Sequence, residues 1–275
     1  MKKALALYSV GIAAVGLAIW KPALGWLSPV VIGLVFPVCA FWFWRIERRP
    51  FPNLGQSRAP FWRQALGWGL FLGVLIPLLI TLVELLFGWV VLTPTLANLA
   101  YANLPLYFTV PVYIAYVLVK MVFIVAIEEF VFRGYFLQRL SLGMGVGWAV
   151  LLSSALWGIG HLASMVSQGL AVFPTMLGML TFILWGTAES LGSLRTGKTL
   201  WFPFGLHYGV NISFSLLGGF FLTSFHAPEW LLGNPAWSPE SGVLGTLAWL
   251  AAIGLVWLIT FLPRFRQKPA AIVEA

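Results

Sequence analysis

The chain has 275 residues, of which 60% are hydrophobic and only 9% are charged. A soluble domain carries about 25% charged residues, so this composition excludes an ordinary soluble domain and predicts a polytopic membrane protein. The formal net charge of +8 does not indicate a nucleic-acid partner, because the basic residues fall between apolar stretches rather than on one face.

Long apolar runs predict eight helices within a single membrane domain that covers residues 1–275. In chain order the predicted helices lie near 4–20, 24–44, 64–88, 108–138, 144–166, 172–192, 201–222 and 243–262. The expected fold class is therefore all-α, a polytopic transmembrane helical bundle. The start Met1-Lys2-Lys3 resembles a signal peptide, but no small-residue cleavage site precedes Lys21-Pro22, so we expect an uncleaved first helix.

The basic residues predict the orientation of the chain in the membrane. They precede the first helix and follow the second, sixth and eighth, with Lys21 as the one mild exception. The main ones are Lys2, Lys3, Arg45, Arg48, Arg49, Arg58, Arg63, Arg195, Lys198, Arg264, Arg266 and Lys268. The alternate loops, around 89–107, 164–171 and 223–242, carry no Lys or Arg. We therefore expect a multi-pass protein of the cell membrane with both termini in the cytoplasm.

Two adjacent glutamates lie inside the fourth predicted span. A carboxylate at membrane depth costs about 2.5–3.5 kcal/mol on insertion scales, so Glu128 and Glu129 predict a functional site inside the bilayer. Glu129 and Arg133 are four residues apart and can pair on one helix face. Glu128 points about 100° away, and we expect it to be unpaired and to face another helix. The alternative is a buried ion-pair network that fixes helix register.

Two later predicted helices carry polar groups of their own. His161 follows Trp157 by four residues, so the indole can shield the imidazole from lipid. His207 and Asn211 have the same spacing and can address one bound group together. Each group alone could be structural, but a carboxylate, two imidazoles and an amide in one bundle could form a site that activates water.

Three further expectations concern packing. Gly205 and Gly209 recur at a spacing of four and predict a close helix contact. Glu84 and Lys120 lie in the outer halves of two spans and are expected to form a structural ion pair. Glu189 lies near the cytoplasmic end of its predicted helix, close to Arg195, and is expected to be an interfacial charge.

Three motifs on these helices carry a family resemblance. In chain order they are Glu128-Glu129-x-x-x-Arg133, Trp157-x-x-x-His161 and His207-x-x-x-Asn211. They resemble the EExxxR, FxxxH and HxxxN motifs of the CPBP (CAAX protease and bacteriocin-processing) or Abi family, which is related to the eukaryotic Rce1 prenyl-protein protease. The resemblance covers about residues 120–215, within an expected catalytic core of about 105–222. Trp157 stands where the family has phenylalanine.

The resemblance implies an eight-helix intramembrane endopeptidase that hydrolyses a peptide bond in a membrane-associated protein or peptide. In such an enzyme Glu128 and His161 would activate water, and His207 and Asn211 would stabilise the oxyanion. The remaining motif residues would have a supporting role: Glu129, Arg133 and Trp157. The family also includes peptide-maturation and self-immunity members, so we do not expect a prenylated CAAX substrate.

Other chemistries fit the sequence less well. The chain contains no aspartate, which excludes an aspartyl mechanism, and no His-Glu-x-x-His, the usual zinc signature. We expect no cofactor, although a divalent metal held by Glu128, His161 and His207 stays open by ligand type. The expected partners are membrane lipid and a protein or peptide substrate. A non-catalytic scaffold or a transporter, with polar residues along a path through the membrane, is the alternative function.

Overall fold

The structure is a computed structural model that describes residues 2–20, 34–46, 61–95, 105–167, 169, 171–233 and 241–261. It is an all-α bundle, as expected, with one small ribbon. Its helices are α1 (Lys2–Trp20), α2 (Phe36–Ile46), α3 (Trp62–Leu86), α4 (Leu106–Glu129), α5 (Leu137–Met144), α6 (Val146–Ser167), α7 (Val172–Arg195), α8 (Trp201–Phe220), α9 (Glu229–Leu232) and α10 (Val243–Thr260). The first half of the predicted helix 24–44 lies outside the described residues.

Within the described residues, four helical stretches are long and apolar enough to cross a membrane. They are Trp62–Leu86, Tyr107–Met144, Val172–Arg195 and Val243–Thr260. Large apolar side chains are exposed along them, including Phe71, Phe123 and Leu258, as expected for contact with lipid. Helix α8 is 20 residues long, but its hydropathy is lowered by His207 and Asn211. The count of eight spans therefore stays a prediction.

A two-stranded antiparallel ribbon was not expected. Strand β1 (Val90–Pro94) follows α3 and strand β2 (Phe221–Phe225) follows α8, with Val90 opposite Phe225 and Pro94 opposite Phe221. The segments Val-Val-Leu-Thr-Pro and Phe-Leu-Thr-Ser-Phe are rich in the β-branched and aromatic residues that favour strands. The ribbon ends α8 at Phe220 and joins the ends of α3 and α8.

Helices α3 and α8 pack with their backbones close together. A Cβ on Gly209 would lie 2.9 Å from Cα of Gly73, and a Cβ on Gly205 would lie 2.8 Å from the backbone nitrogen of Leu70. Gly69 on α3 would likewise collide with the α8 backbone if it carried a side chain. The close contact predicted for Gly205 and Gly209 is therefore confirmed, and it fixes the part of α8 that lies between them.

The predicted helix 108–138 is interrupted by a π-helix over Phe130–Phe136, which joins α4 to α5. The carbonyl oxygen of Phe132 accepts a hydrogen bond from the hydroxyl of Ser153 on α6 at 2.7 Å. The rings of Phe132 and Phe136 both pack on Phe36 of α2, with centroid distances of 6.5 and 5.6 Å. Packing from two helices thus holds a helix geometry that is often found at functional sites.

The predicted ion pair between Glu84 and Lys120 is wrong. Among the described residues no ion pair joins them: Glu84 is 3% exposed on α3, whereas Lys120 is exposed on α4. The Lys120 ammonium lies 5.6 Å from the ring centroid of Tyr116, one turn earlier on the same helix. A lysine can extend its aliphatic stem along an apolar surface in this way. A similar depth in the membrane was therefore not enough to pair Lys120 with Glu84.

Candidate active site

Glu128 meets residues of two other helices at the end of α4. Its Oε2 atom accepts a hydrogen bond from the indole N–H of Trp157 on α6 at 2.7 Å. The same oxygen lies 3.8 Å from Nε2 of His207 on α8, and the Glu128 side chain keeps 18% of its surface exposed. The prediction that Glu128 faces other helices is confirmed, and the prediction that it is unpaired is wrong, because tryptophan supplies a donor.

Glu129 is buried and links α4 to α8. Its Oε1 atom accepts a hydrogen bond from Nη1 of Arg133 at 3.0 Å, which confirms the predicted pair, and it also lies 2.8 Å from Nδ1 of His207. A carboxylate paired with arginine can only accept, so Nδ1 of His207 must carry the hydrogen. The other ring nitrogen, Nε2, is the one directed at Glu128.

His161 lies among aromatic side chains. Its Nδ1 atom is 2.9 Å from the carbonyl oxygen of Trp157, which can only accept, so Nδ1 carries a hydrogen. The imidazole stacks on Phe182 of α7 with a centroid distance of 4.5 Å and meets the Trp157 ring edge-on at 4.9 Å. Trp157 therefore shields His161 as expected, with Phe182 on another side.

Trp157 is the common neighbour of the polar groups. Its ring contacts both His161 and His207, the latter with a centroid distance of 5.4 Å. The guanidinium carbon of Arg133 lies 5.0 Å from the centroid of the same ring. With its N–H bonded to Glu128, this residue joins α6 to both α4 and α8. Phenylalanine in its place could fill the space but could not donate a hydrogen bond.

Asn211 lies one turn beyond His207 on α8, on the same face of that helix. Its side chain is half-buried. In the part of the chain that the structure describes, its amide makes no hydrogen bond. The arrangement leaves an amide donor beside His207 that the packing of the described helices does not require.

Glu189 belongs to the same cluster, and the prediction of an interfacial charge is wrong. It is fully buried on α7, forms an ion pair with Arg133 and accepts a hydrogen bond from the indole N–H of Trp185 at 2.7 Å. Gly186 makes room for this pair, since a Cβ there would lie 3.2 Å from Nη2 of Arg133. One signal was present in the sequence. Trp185 precedes Glu189 by four residues, so its indole donor lies on the same face of the helix as the carboxylate.

The carboxylates and the imidazole of this cluster could surround a cation, and the guanidinium of Arg133 already lies among them. The described residues whose ligand atoms all lie within 4.8 Å of one another are Glu129, Glu189 and His207. This set differs from Glu128, His161 and His207, the alternative that the sequence left open. Arg133 is ion-paired with both Glu129 and Glu189, so these donors fit a guanidinium better than a divalent metal.

One comparison with known proteins finds a similarity in the central part of the chain. Residues 110–213 match the sequence model of a family described as type II CAAX prenyl endopeptidase Rce1-like. This part of the chain, the Rce1-like segment, is similar to that family. The Rce1-like segment begins within α4, ends within α8 and contains all three motifs, which confirms the family resemblance. It supports protease activity in a membrane protein as the class of function.

The match leaves parts of the bundle outside it: α1, α2, α3 and β1 precede the Rce1-like segment, and α9 and α10 follow it. No curated protein and no solved structure matches the chain. The geometry of the site therefore supplies the rest of the functional argument.

Proposed function

We propose that this protein is an intramembrane glutamic endopeptidase of the CPBP type, which hydrolyses a peptide bond in a membrane-associated protein or peptide. One observation carries the proposal: Oε2 of Glu128 lies 3.8 Å from Nε2 of His207, although the two residues come from separate apolar helices. Placing a carboxylate and an imidazole together at membrane depth is costly, and such groups generally serve a function.

In the proposed mechanism Glu128, together with His161, takes a proton from water. The resulting hydroxide attacks the carbonyl carbon of the peptide bond and forms a tetrahedral oxyanion. His207 as an imidazolium and the amide of Asn211 donate hydrogen bonds to that oxyanion. When the intermediate collapses, the C–N bond breaks and Glu128 returns its proton to the leaving amine, so the enzyme ends in its starting state.

The buried charges support the protonated form of His207 in this mechanism. Its Nδ1 edge faces Glu129 at 2.8 Å and Glu189 at 3.5 Å, and its Nε2 edge faces Glu128. Arg133 supplies one positive charge to this group of three carboxylates. An imidazolium at position 207 would neutralise a second of the three carboxylate charges. Its two N–H groups would donate to Glu129 and to the oxyanion.

The orientation in the membrane is part of the proposal. Basic residues concentrate in alternate connections, so we infer that both termini lie in the cytoplasm and that the site opens toward that side. A substrate would approach from the membrane, as a transmembrane or lipid-anchored polypeptide. The Rce1-like family description names a prenyl endopeptidase, so a prenylated peptide belongs among the substrates to be tried.

The test is the variant Glu128→Gln, which keeps the size of the side chain and its ability to accept from Trp157. Wild-type and variant protein in nanodiscs are given prenylated and unprenylated membrane-anchored peptides, and the membrane-anchored fragments of cells expressing each are compared. We expect the variant to fold and to lose cleavage. Glu229→Gln, at an exposed glutamate of α9, is the matched control. Cleavage that survives Glu128→Gln would overturn the role of Glu128 as the base. A cellular phenotype that survives the substitution, with no cleavage by the wild type, would favour the scaffold or transporter instead.

A further inference from the structure

We propose that Glu189 is a positioning residue of this site: from α7 it holds Arg133 and the Nδ1 edge of His207, and so keeps Nε2 of His207 directed at Glu128. The inference rests on the proposed function, and it adds α7 to a site whose three motifs begin on α4, α6 and α8. Glu189 does not belong to any of those motifs.

The first support is the way that Arg133 is shared. Arg133 and Glu129 lie on one continuous helical stretch and pair at a spacing of four residues. Such a pair by itself does not fix how the guanidinium sits relative to other helices. Glu189 pairs with Nη2 of the same guanidinium from a different helix, and the carbonyl oxygen of Gly186 accepts from Nη2 at 3.4 Å. Arg133 is therefore fixed between α4 and α7.

The second support is the position of Glu189 relative to the imidazole. Two carboxylate oxygens lie near Nδ1 of His207: Oε1 of Glu129 at 2.8 Å and Oε1 of Glu189 at 3.5 Å. Two acceptors on one edge of the ring favour the form in which Nδ1 carries a hydrogen. They also oppose rotation of the ring, which would bring a carbon atom to face them.

The third support is that Glu189 is itself held in place. The indole N–H of Trp185 donates to its Oε1 atom at 2.7 Å, and the Trp185 ring packs against His207 with a centroid distance of 5.3 Å. Trp185 stacks in turn on Trp249 of α10 at 4.9 Å. A carboxylate that served only as an interfacial charge would be near water, whereas Glu189 is fully buried.

The experiment compares Glu189→Gln and Glu189→Asp with Thr187→Val. Thr187 is a matched control, because it lies on the same helix and its hydroxyl bonds to the carbonyl oxygen of Ile183 of that helix. We expect Glu189→Gln to lower kcat by about 10- to 100-fold, as loss of a supporting partner typically does. KM should stay within about twofold, because Glu189 is fully buried and we expect it not to touch the substrate. Glu189→Asp, which keeps the charge, should recover part of the loss.

A spectroscopic measurement tests positioning without activity. The chain has only three histidines, so the ¹⁵N signals of labelled imidazoles can be assigned by His→Gln variants. In the wild type we expect Nδ1 of His207 to be protonated. In Glu189→Gln the His207 signals should shift toward a mixture of ring states, while those of His226 stay unchanged.

The outcomes separate the two proposals. Unchanged kcat and unchanged His207 signals in Glu189→Gln, with only a loss of thermal stability, would show a structural residue and overturn the inference. Should Glu189→Gln fail to fold, Glu189→Asp carries the same test through the same two readouts. Cleavage that survives Glu128→Gln would overturn the proposed function, and the His207 signals would still decide whether Glu189 positions the ring.

Discussion

The indole N–H of Trp157 donates a hydrogen bond to Oε2 of Glu128, and the two atoms are 2.7 Å apart. The family motif has phenylalanine at this position, which fills similar space but has no donor. In this chain the proposed base is therefore held by a side chain of α6 as well as by its own helix. A hydrogen bond to a charged group contributes about 1.5–3 kcal/mol, so this contact should influence both stability and rate.

Two replacements of Trp157 separate the effect of its N–H donor from the effect of its ring. Trp157→Phe removes the N–H and keeps an aromatic ring against both imidazoles, so we expect kcat to stay within about tenfold of the wild type. Trp157→Ala also removes the ring, and we expect a loss of about 100-fold or more because both histidines lose a packing partner. Cleavage kinetics measure both variants, with Trp148→Phe at an exposed tryptophan of α6 as the control. Equal losses in the two variants would contradict this division.

Asn211 should affect the reaction more than the fold. Its amide makes no hydrogen bond within the described residues, so Asn211→Ala should leave the thermal midpoint unchanged. Loss of one oxyanion donor typically lowers kcat by about 100- to 1,000-fold, and that is the expected effect. The control is Ser213→Ala, which removes a hydroxyl that donates to the carbonyl oxygen of Gly209 at 2.8 Å. A large loss of stability with unchanged kcat would assign Asn211 to packing instead.

Arg133 should be among the most sensitive residues for stability. Arg133→Gln leaves the buried carboxylates of Glu129 and Glu189 without their cation, and breaking a buried pair in this way costs about 3–5 kcal/mol. Unfolding in mixed micelles with increasing denaturant measures the loss. Lys120→Gln, at an exposed lysine, should change the free energy of unfolding by less than about 0.5 kcal/mol. Similar effects in both variants would contradict the buried network.

The close contact of α3 and α8 can be tested with a larger side chain. Gly209→Leu places a Cβ 2.9 Å from Cα of Gly73, so α8 must move, and overpacking of this kind costs about 1–3 kcal/mol. Because His207 lies half a turn away, cleavage should fall as well. Gly218→Leu, on the same helix with open space around its Cβ, should have little effect on either. Unfolding and cleavage assays on both variants provide the comparison.

The arginine at the centre of the carboxylates predicts insensitivity to chelators. The donors nearest one another, Glu129, Glu189 and His207, surround a guanidinium that pairs with both glutamates. We therefore expect cleavage to persist in excess EDTA or 1,10-phenanthroline, and added Zn²⁺ not to raise the unfolding temperature. Activity that is lost with chelator and restored by a divalent metal would instead assign the site to a metal.

The helices were predictable because their apolar runs are long, but their local geometry was not. The segment Val90–Pro94 lies in the expected loop around 89–107, and its short apolar run does not by itself distinguish a strand from a helix end. Its strand pairing depends on Phe221–Phe225, distant in the chain. The π-helix at Phe130–Phe136 depends in the same way on packing against other helices. Tertiary contacts decided these features.

The site was predictable where motifs carried it. The convergence of Glu128 and His207 follows from motifs on separate spans, and the structure brings them together. Glu189 was missed because its place near the helix end, close to Arg195 in the sequence, indicated an interfacial charge, whereas its partner in space is Arg133 from another helix. Arg195 instead donates to the hydroxyl of Thr260 on α10. Proximity in the sequence therefore did not show which charged residues pair in the structure.

The ribbon and the glycine contact together restrict how the proposed active site can open. Helix α8 is fastened to α3 twice, once along its length through Gly73 and Gly209 and once at its end through β1 and β2. A helix anchored at two separated points can neither roll nor slide without breaking one of them. The wall of the site that carries His207 should therefore stay still during turnover, and a polypeptide would have to enter past one of the other walls.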